Sequence, residues 1–191
     1  MKQLNKIILA SESPRRKLLL NLLGLNNVEL QKHSIDEEKF KLKNPLSKSI
    51  LDLAEQKAES VKKKMNKKII IAGDTIVIRA GKVFNKTNCQ KEVKNYLKIL
   101  SGRKHFVYGG LCVISSKGKI FRKFIKTEVY FNKIEEKEIT NEVLQDGLGK
   151  AGGYAIQNFG SRFIKKIRGC YTNVVGISIP ALYKILKSPE F

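Results

Sequence analysis

Residues 7–24 read I-I-L-A-S-E-S-P-R-R-K-L-L-L-N-L-L-G. The apolar run over 7–10 is short and ends at small polar residues, the pattern of a buried strand. Ser13 and Pro14 then open a helix that Gly24 can close, because serine caps unpaired N–H groups, proline fits the first helical position and glycine tolerates the left-handed turn at a helix end. The intervening turn puts Ser11, Ser13, Arg15 and Arg16 at the mouth of a strand-to-helix junction. Unpaired backbone N–H groups and the positive end of the helix dipole favour an anion there, and a phosphate fits. A plain helix start explains Ser13 and Pro14 equally well, with the arginines solvated. It leaves unexplained two adjacent arginines in a first turn, where basic charge opposes the dipole and asks for a compensating anion. Both readings stay open at this point.

Outward from this junction, 191 residues suffice for a single domain over 1–191, with a core that needs no covalent staples. The start, residues 1–6, carries charge, but the apolar run after it is too short for a secretory leader, and no stretch approaches membrane-span length. A cytoplasmic protein without membrane association is expected. Cys89, Cys112 and Cys170 are odd in number and widely spaced, which fits neither a C-x-x-C zinc site nor a disulfide framework, so they are read as core or loop residues. The net charge of +21, from 38 Lys and Arg against 17 Asp and Glu, invites a nucleic-acid reading. Against it, the lysines are spread over the whole chain, with local runs at 62–68 and 165–168 and no basic stripe interleaved with aromatics. Abundant lysine with abundant isoleucine looks like compositional bias, and nucleic acid is not the expected partner.

Further along, 28–34 reads as a strand running into I-D-E-E at 35–38. These acids are either a solvated loop or ligands for a hard cation, which prefers carboxylate oxygen. Ile50, Leu53, Ala54, Ala58 and Val61 recur at helical spacing, predicting an amphipathic helix over 47–65 with Lys57 inside its apolar stripe. A lysine so placed either snorkels to solvent or has an anionic partner. The run K-I-I-I-A-G-D-T at 68–75 is a central strand by its β-branched content, and the pattern resumes over 75–80. Gly73 and Asp74 then read as an interruption within the sheet, a glycine-marked bulge that re-aims a side chain, unless Asp74 is only a turn residue. Lys86 follows a turn containing Gly81, and Asn88 is expected to cap a helix ending near Ser101 and Gly102. Strands over 105–115 and 120–131 form a hairpin through S-K-G-K. A charged helix is expected over 134–144, a flexible glycine-rich loop over 147–157, a strand over 163–167 and a closing helix over 174–186.

Taken together, the chain resembles the Maf family of nucleoside triphosphate pyrophosphatases nearly end to end. L-A-S-E-S-P-R-R-K-L-L at 9–19 is similar to the family's N-terminal signature, I-D-E at 35–37 to its V-D-E, and L-A-E-Q-K-A at 53–58 to its L-A-x-x-K-A. A-G-D-T-I-V at 72–77 resembles A-D-T-V-V and L-S-G-R-K-H at 100–105 resembles L-S-G-x-x-H, while G-K-A-G-G-Y-A-I-Q and T-N-V-V-G match the C-terminal pair.

The resemblance implies an α/β fold related to that of inosine triphosphatases, with a long bent mixed sheet flanked by helices and a cleft between two lobes. It implies hydrolysis of a nucleoside triphosphate to the monophosphate and pyrophosphate, with a divalent cation, Mg²⁺ or Mn²⁺, as cofactor. Residue by residue, Asp74 matches the catalytic base and Glu37 its acidic partner, the two together holding the metal. Ser11, Arg15, Arg16, Lys57 and Lys86 match phosphate-binding positions, and Arg15, Thr75 and Gln157 positions tied to substrate choice. The I-Q ending at 156–157 resembles the subfamily acting on dTTP and UTP, for which an amide offers both donor and acceptor to a pyrimidine edge. A 7-methyl-GTP or broad-specificity enzyme, or a basic nucleic-acid or division-associated binding protein, are the alternatives, and a homodimer is compatible with all of them. The chain departs from the family pattern in Gly73 before Asp74, in Thr87 where proline commonly follows the lysine, and in Ser178 where proline is common.

Overall fold

The computed structural model describes residues 6–37, 39–62 and 68–189. Strand β1 (Ile7–Leu9) is wholly buried and pairs in parallel with β2 (Val28–Leu30) on one side and β3 (Ile69–Arg79) on the other, Ile7 lying opposite both Val28 and Ile69. Burial on both faces is why β1 and the first half of β3 read as unbroken aliphatic runs. Parallel neighbours need a crossover, and helix α1 (Pro14–Leu22) supplies the one from β1 to β2. Helix α2 (Leu46–Lys62) sets Ala54, Ala58 and Val61 against Ile8, Ile70, Ala72 and Cys112.

Strand β3 turns back through Ala80 and Gly81, both at positive φ, into β4 (Lys82–Phe84), so Val77 faces Phe84. Helix α3 (Gln90–Leu100) leads to the hairpin of β5 (Lys104–Ile114) and β6 (Ile120–Phe131), and β7 (Ile164–Arg168) runs antiparallel to β6. The seven strands form one mixed sheet in the order β2-β1-β3-β5-β6-β7, with β4 paired to β3. This is the α/β class with a mixed sheet and flanking helices.

Two compact units share these strands. The first comprises Met1–Asp74, Gly109–Ile125 and Gly176–Phe191, and the second Thr75–Tyr108 and Lys126–Val175. In the first, Gly110 of β5 admits the α2 backbone, since a Cβ there would lie 2.3 Å from the Ile50 carbonyl oxygen. In the second, Phe84, Val93, Leu97, Leu100, Val107 and Phe131 form the centre of the core.

Several local expectations are corrected. Strand β3 continues through Gly73 and Asp74, both buried, as one strand and not as two strands parted by a turn. Strand β2 covers only three residues of the expected 28–34. The cap of α3 is Cys89, not Asn88: the buried Thr87 hydroxyl accepts the Cys89 N–H at 3.0 Å and so starts the turn one residue later. The span 134–144 splits into a 3-10 turn, Glu136–Glu138, and helix α4 (Asn141–Gly147). A reciprocal Glu135–Glu138 capping box opens the first turn, and Thr140 takes the N-cap position of the second without a side-chain capping bond. Ile139 and Val143 are buried nonetheless, as their spacing requires.

The glycine-rich segment is closely packed where a flexible loop was expected. Gly152 and Gly153 are buried at φ of 74° and 70°, and a Cβ on Gly152 would stand 2.9 Å from Val77. The closing helix divides at Gly176, φ 146°, into α5 (Tyr171–Val175) and α6 (Ile179–Leu186), the latter capped by Ser178, whose hydroxyl accepts from the Ala181 N–H at 3.4 Å. The end of the expected 47–65 helix, most of the basic run 62–68, Glu38 and residues 1–5 lie outside the described residues. Among the described residues, no helix is long and apolar enough to cross a membrane.

Candidate active site

In the first unit, α1, α2, β3 and the segment before α2 deliver charged side chains to one buried cluster. Lys57, on the apolar stripe of α2, has no exposed surface. Its Nζ donates to Asp74 Oδ1 at 2.6 Å and to Glu37 Oε1 at 2.7 Å. The snorkelling alternative is thereby excluded: desolvation of an ammonium is offset only by opposite charge and well-made hydrogen bonds, and two carboxylates supply both. Asp74, on β3, has a side chain only 5 % exposed, and Arg16 Nη2 lies 3.8 Å from the same Oδ1.

Arg16 is a braced residue. Its Nε donates to the Gly176 carbonyl at 3.2 Å and its Nη1 to Ser11 Oγ at 3.1 Å. The anion that a first-turn arginine asked for is, for Arg16, the carboxylate of Asp74. Arg15, the next residue back on α1, is only half buried. Ser13 takes the cap position, but its side chain makes no capping bond; the Ser13 N–H donates to Ser11 Oγ at 3.2 Å, so Ser11 joins the turn to the arginine.

Two partners escaped the sequence reading. His33 Nε2 stands 3.3 Å from Glu37 Oε1, an i,i+4 relation visible in H-S-I-D-E once Glu37 is marked as functional. The Gly176 carbonyl carried no signal, because any residue has one and only the break between α5 and α6 turns it toward Arg16.

The donor chemistry fits a hard divalent cation. Among the described residues no group of three His, Cys, Asp or Glu side chains is placed to hold a metal ion. A magnesium-type ion does not need one: it takes one or two carboxylates and completes its shell with water and phosphate oxygen, and Glu37 and Asp74, already sharing one cation, provide that pair.

The second unit holds Thr75, half buried next to Asp74 in sequence, together with Lys86 and Gln157, both exposed. Thr87, in the place of a common proline, hydrogen-bonds through its hydroxyl to Cys89 and through its carbonyl to the Gly149 N–H at 2.8 Å. The segment that ends at Gln157 is anchored by Tyr154, whose hydroxyl lies 2.8 Å from His105 Nε2. Burial raises the Tyr154 hydroxyl far above its ordinary range. Burial, aided by the Arg79 charge and opposed by the Arg103 backbone, lowers the His105 imidazole from 6.5 to about 4. The histidine of the L-S-G-R-K-H motif is thus a neutral structural partner of the glycine-rich motif.

Comparison with known proteins agrees with the motif pattern. The family model described as Maf-like protein matches residues 6–189. A protein of Thermoanaerobacter sp. (strain X514), named dTTP/UTP pyrophosphatase, is 42 % identical over 185 residues, 95 % of each chain. Proteins of the same name from Chelativorans sp. (strain BNC1) and Clostridium perfringens (strain SM101 / Type A) are 37 % and 36 % identical, covering 97 % and 96 % of this chain and 92 % and 96 % of theirs. Among solved structures, a HAM1 protein from Coxiella burnetii gives a TM-score of 0.48 at 12 % identity, over 96 % of this chain and 98 % of that one.

Proposed function

The chain belongs to the Maf-like protein family, and we propose that it hydrolyses nucleoside triphosphates to the monophosphate and pyrophosphate, with dTTP and UTP as preferred substrates. The observation that carries this reading is the buried ammonium of Lys57 bridging Asp74 and Glu37 beside the mouth of α1. The names of relatives aligned along almost the whole chain support the nucleotide preference.

In this mechanism the water oxygen bonds to the α-phosphorus, and the bond from that phosphorus to the α–β bridging oxygen breaks. Pyrophosphate leaves with the electron pair, and Asp74 takes the proton from the attacking water. Arg15 and Lys86 neutralise phosphate oxygens. Lys57, with two of its three N–H donors engaged by carboxylates, contributes positive charge to phosphate binding from behind Asp74 and Glu37. Arg16, tied to Gly176 and Ser11, holds the Asp74 carboxylate in place. Glu37 and Asp74 would hold a Mg²⁺ or Mn²⁺ ion, which would supply charge neutralisation at the phosphates and a more acidic water. Gln157 reads the pyrimidine edge through its amide, with Thr75 and Arg15 contributing to substrate choice. The enzyme acts on free nucleotides in the cytoplasm.

Incubation of the pure protein and Mg²⁺ or Mn²⁺ with dTTP, UTP, CTP, GTP and 7-methyl-GTP, measuring pyrophosphate and monophosphate, tests this directly. Cleavage led by dTTP and UTP, and lost in Asp74→Asn, is expected. Orthophosphate release, or an Asp74→Asn protein as active as wild type, overturns the mechanism; preference for 7-methyl-GTP overturns the substrate assignment.

A further inference from the structure

One face of the sheet in the second unit is unrelated to the cluster around Asp74. Along β5 and β6, His105, Val107, Thr127, Val129 and Phe131 are buried against the core. Their alternates, Lys104, Phe106 and Tyr108 on β5 and Lys126, Glu128 and Tyr130 on β6, lie on the opposite face, where the four besides the two lysines are half buried and the lysines are exposed. The register of β6 with β7 sets Arg168 opposite Glu128 and Lys166 opposite Tyr130, adding two exposed cations to that face.

These groups are interleaved. The Lys126 ammonium lies 4.2 Å and the Lys104 ammonium 5.2 Å from the centroid of the Phe106 ring. Tyr130 has Lys104 at 5.9 Å and the Arg168 guanidinium at 5.8 Å, and the Tyr108 ring stands 6.3 Å from that of Phe106. Glu128 is the one acid among these positions; its carboxylate accepts from the Tyr130 hydroxyl at 2.5 Å and lies 3.7 Å from Lys104. The expectation that no aromatic-interleaved basic stripe exists is therefore corrected. The stripe runs across three strands, and contributions at period two from 104–108, 126–130 and 166–168 leave no contiguous trace in the sequence.

We propose that this face is a binding platform for single-stranded nucleic acid. Cations set around aromatic rings match a chain that alternates phosphates with unstacked bases, the lysines and Arg168 taking phosphates while Phe106, Tyr108 and Tyr130 stack bases. A duplex shows its base faces to nothing outside the helix, so the rings have no use for one. A second copy of this chain is a poor occupant, because self-pairing brings four cations against four in a molecule already carrying +21. The site is separate from the pyrophosphatase reading and does not depend on it.

The test is fluorescence anisotropy of the full chain with a labelled oligothymidylate of about 20 nucleotides. Binding is expected to weaken with salt at a log–log slope of about −2 to −3, as four cations on a single strand imply. Phe106→Ala with Tyr130→Ala weakens binding about tenfold or more at constant salt. Because those rings also contribute packing, Lys126→Glu with Arg168→Glu gives a second, surface variant, expected to lower affinity and flatten the salt slope while melting and pyrophosphate release stay as in wild type. Absence of binding at low salt overturns the proposal, as does equal competition by a duplex or wild-type affinity in folded variants. Sedimentation showing a wild-type dimer that the charge-reversal variant dissociates gives the face to a second copy and overturns it too.

Discussion

Replacing Lys57 with methionine, Lys57→Met, keeps the length and most of the apolar stem of a side chain that has no exposed surface. It deletes the ammonium that lies 2.6 Å from Asp74 and 2.7 Å from Glu37. Glu37 is about a third exposed and recovers solvation readily, whereas Asp74, at 5 %, is left with Arg16 at 3.8 Å as its nearest ion-pair partner. Taking one partner from a buried pair costs about 3–5 kcal/mol, and in a chain of this length that lowers Tm by roughly 6–20 °C. Asp74→Asn separates charge from packing. With the carboxylate gone, Lys57→Met becomes cheaper by about 1–3 kcal/mol, the coupling expected of contacting charged groups. Denaturant unfolding of wild type, both single variants and the double variant at pH 7, followed by circular dichroism, yields all four stabilities. If Lys57→Met lies within about 1 kcal/mol of wild type, or costs the same in both backgrounds, the ammonium does not neutralise Asp74 and the account of the cluster is wrong.

His105 predicts a pH effect on stability. The folded protein keeps the imidazole neutral down to about pH 4, while an unfolded chain protonates it near 6.5, so the contribution is full above 6.5 and is lost as pH falls through that window. About 3 kcal/mol is at stake, and urea midpoints between pH 4 and 7.5 should show a shallower slope in His105→Gln than in wild type. Gly176→Ala forces a side chain into φ 146° with its Cβ 3.2 Å from Arg16 Cγ; a loss of about 1–3 kcal/mol and a fall in pyrophosphate release follow, and wild-type melting and turnover would show that the brace on Arg16 is unimportant. Gln157→Glu should lower dTTP and UTP cleavage while leaving the dependence on Mg²⁺ concentration unchanged. Equal turnover of dTTP by that variant excludes Gln157 from reading the base.

Most of the secondary structure was legible because burial leaves a periodic trace. The β-branched run before Asp74, the helical spacing of Ile50 to Val61 and the Ser13-Pro14 helix start each state their element in local chemistry. Errors fell where a side chain overrode a propensity. The Thr87 hydroxyl moved a cap by one residue, the Glu135–Glu138 box split a helix, and Gly176 with Ser178 split another. The glycine-rich segment looked mobile because glycine count reports freedom, whereas Gly152 and Gly153 are there for positive φ and close approach to Val77 and Val93.

The sequence by itself determined the residue types of the site and their order along the chain, and its ordered motifs point to a nucleotide pyrophosphatase. Which charges meet was decided by tertiary structure alone. The strand-to-helix turn of residues 7–24 presented two adjacent arginines as equals, and only the fold shows Arg16 buried against Asp74, Ser11 and the Gly176 carbonyl while Arg15 is half buried. The same holds for the face of Phe106, Tyr130 and Arg168. Coulombic and stacking interactions act over a few ångströms of space, and residues distant along the chain come within that range only when strands pair and helices pack.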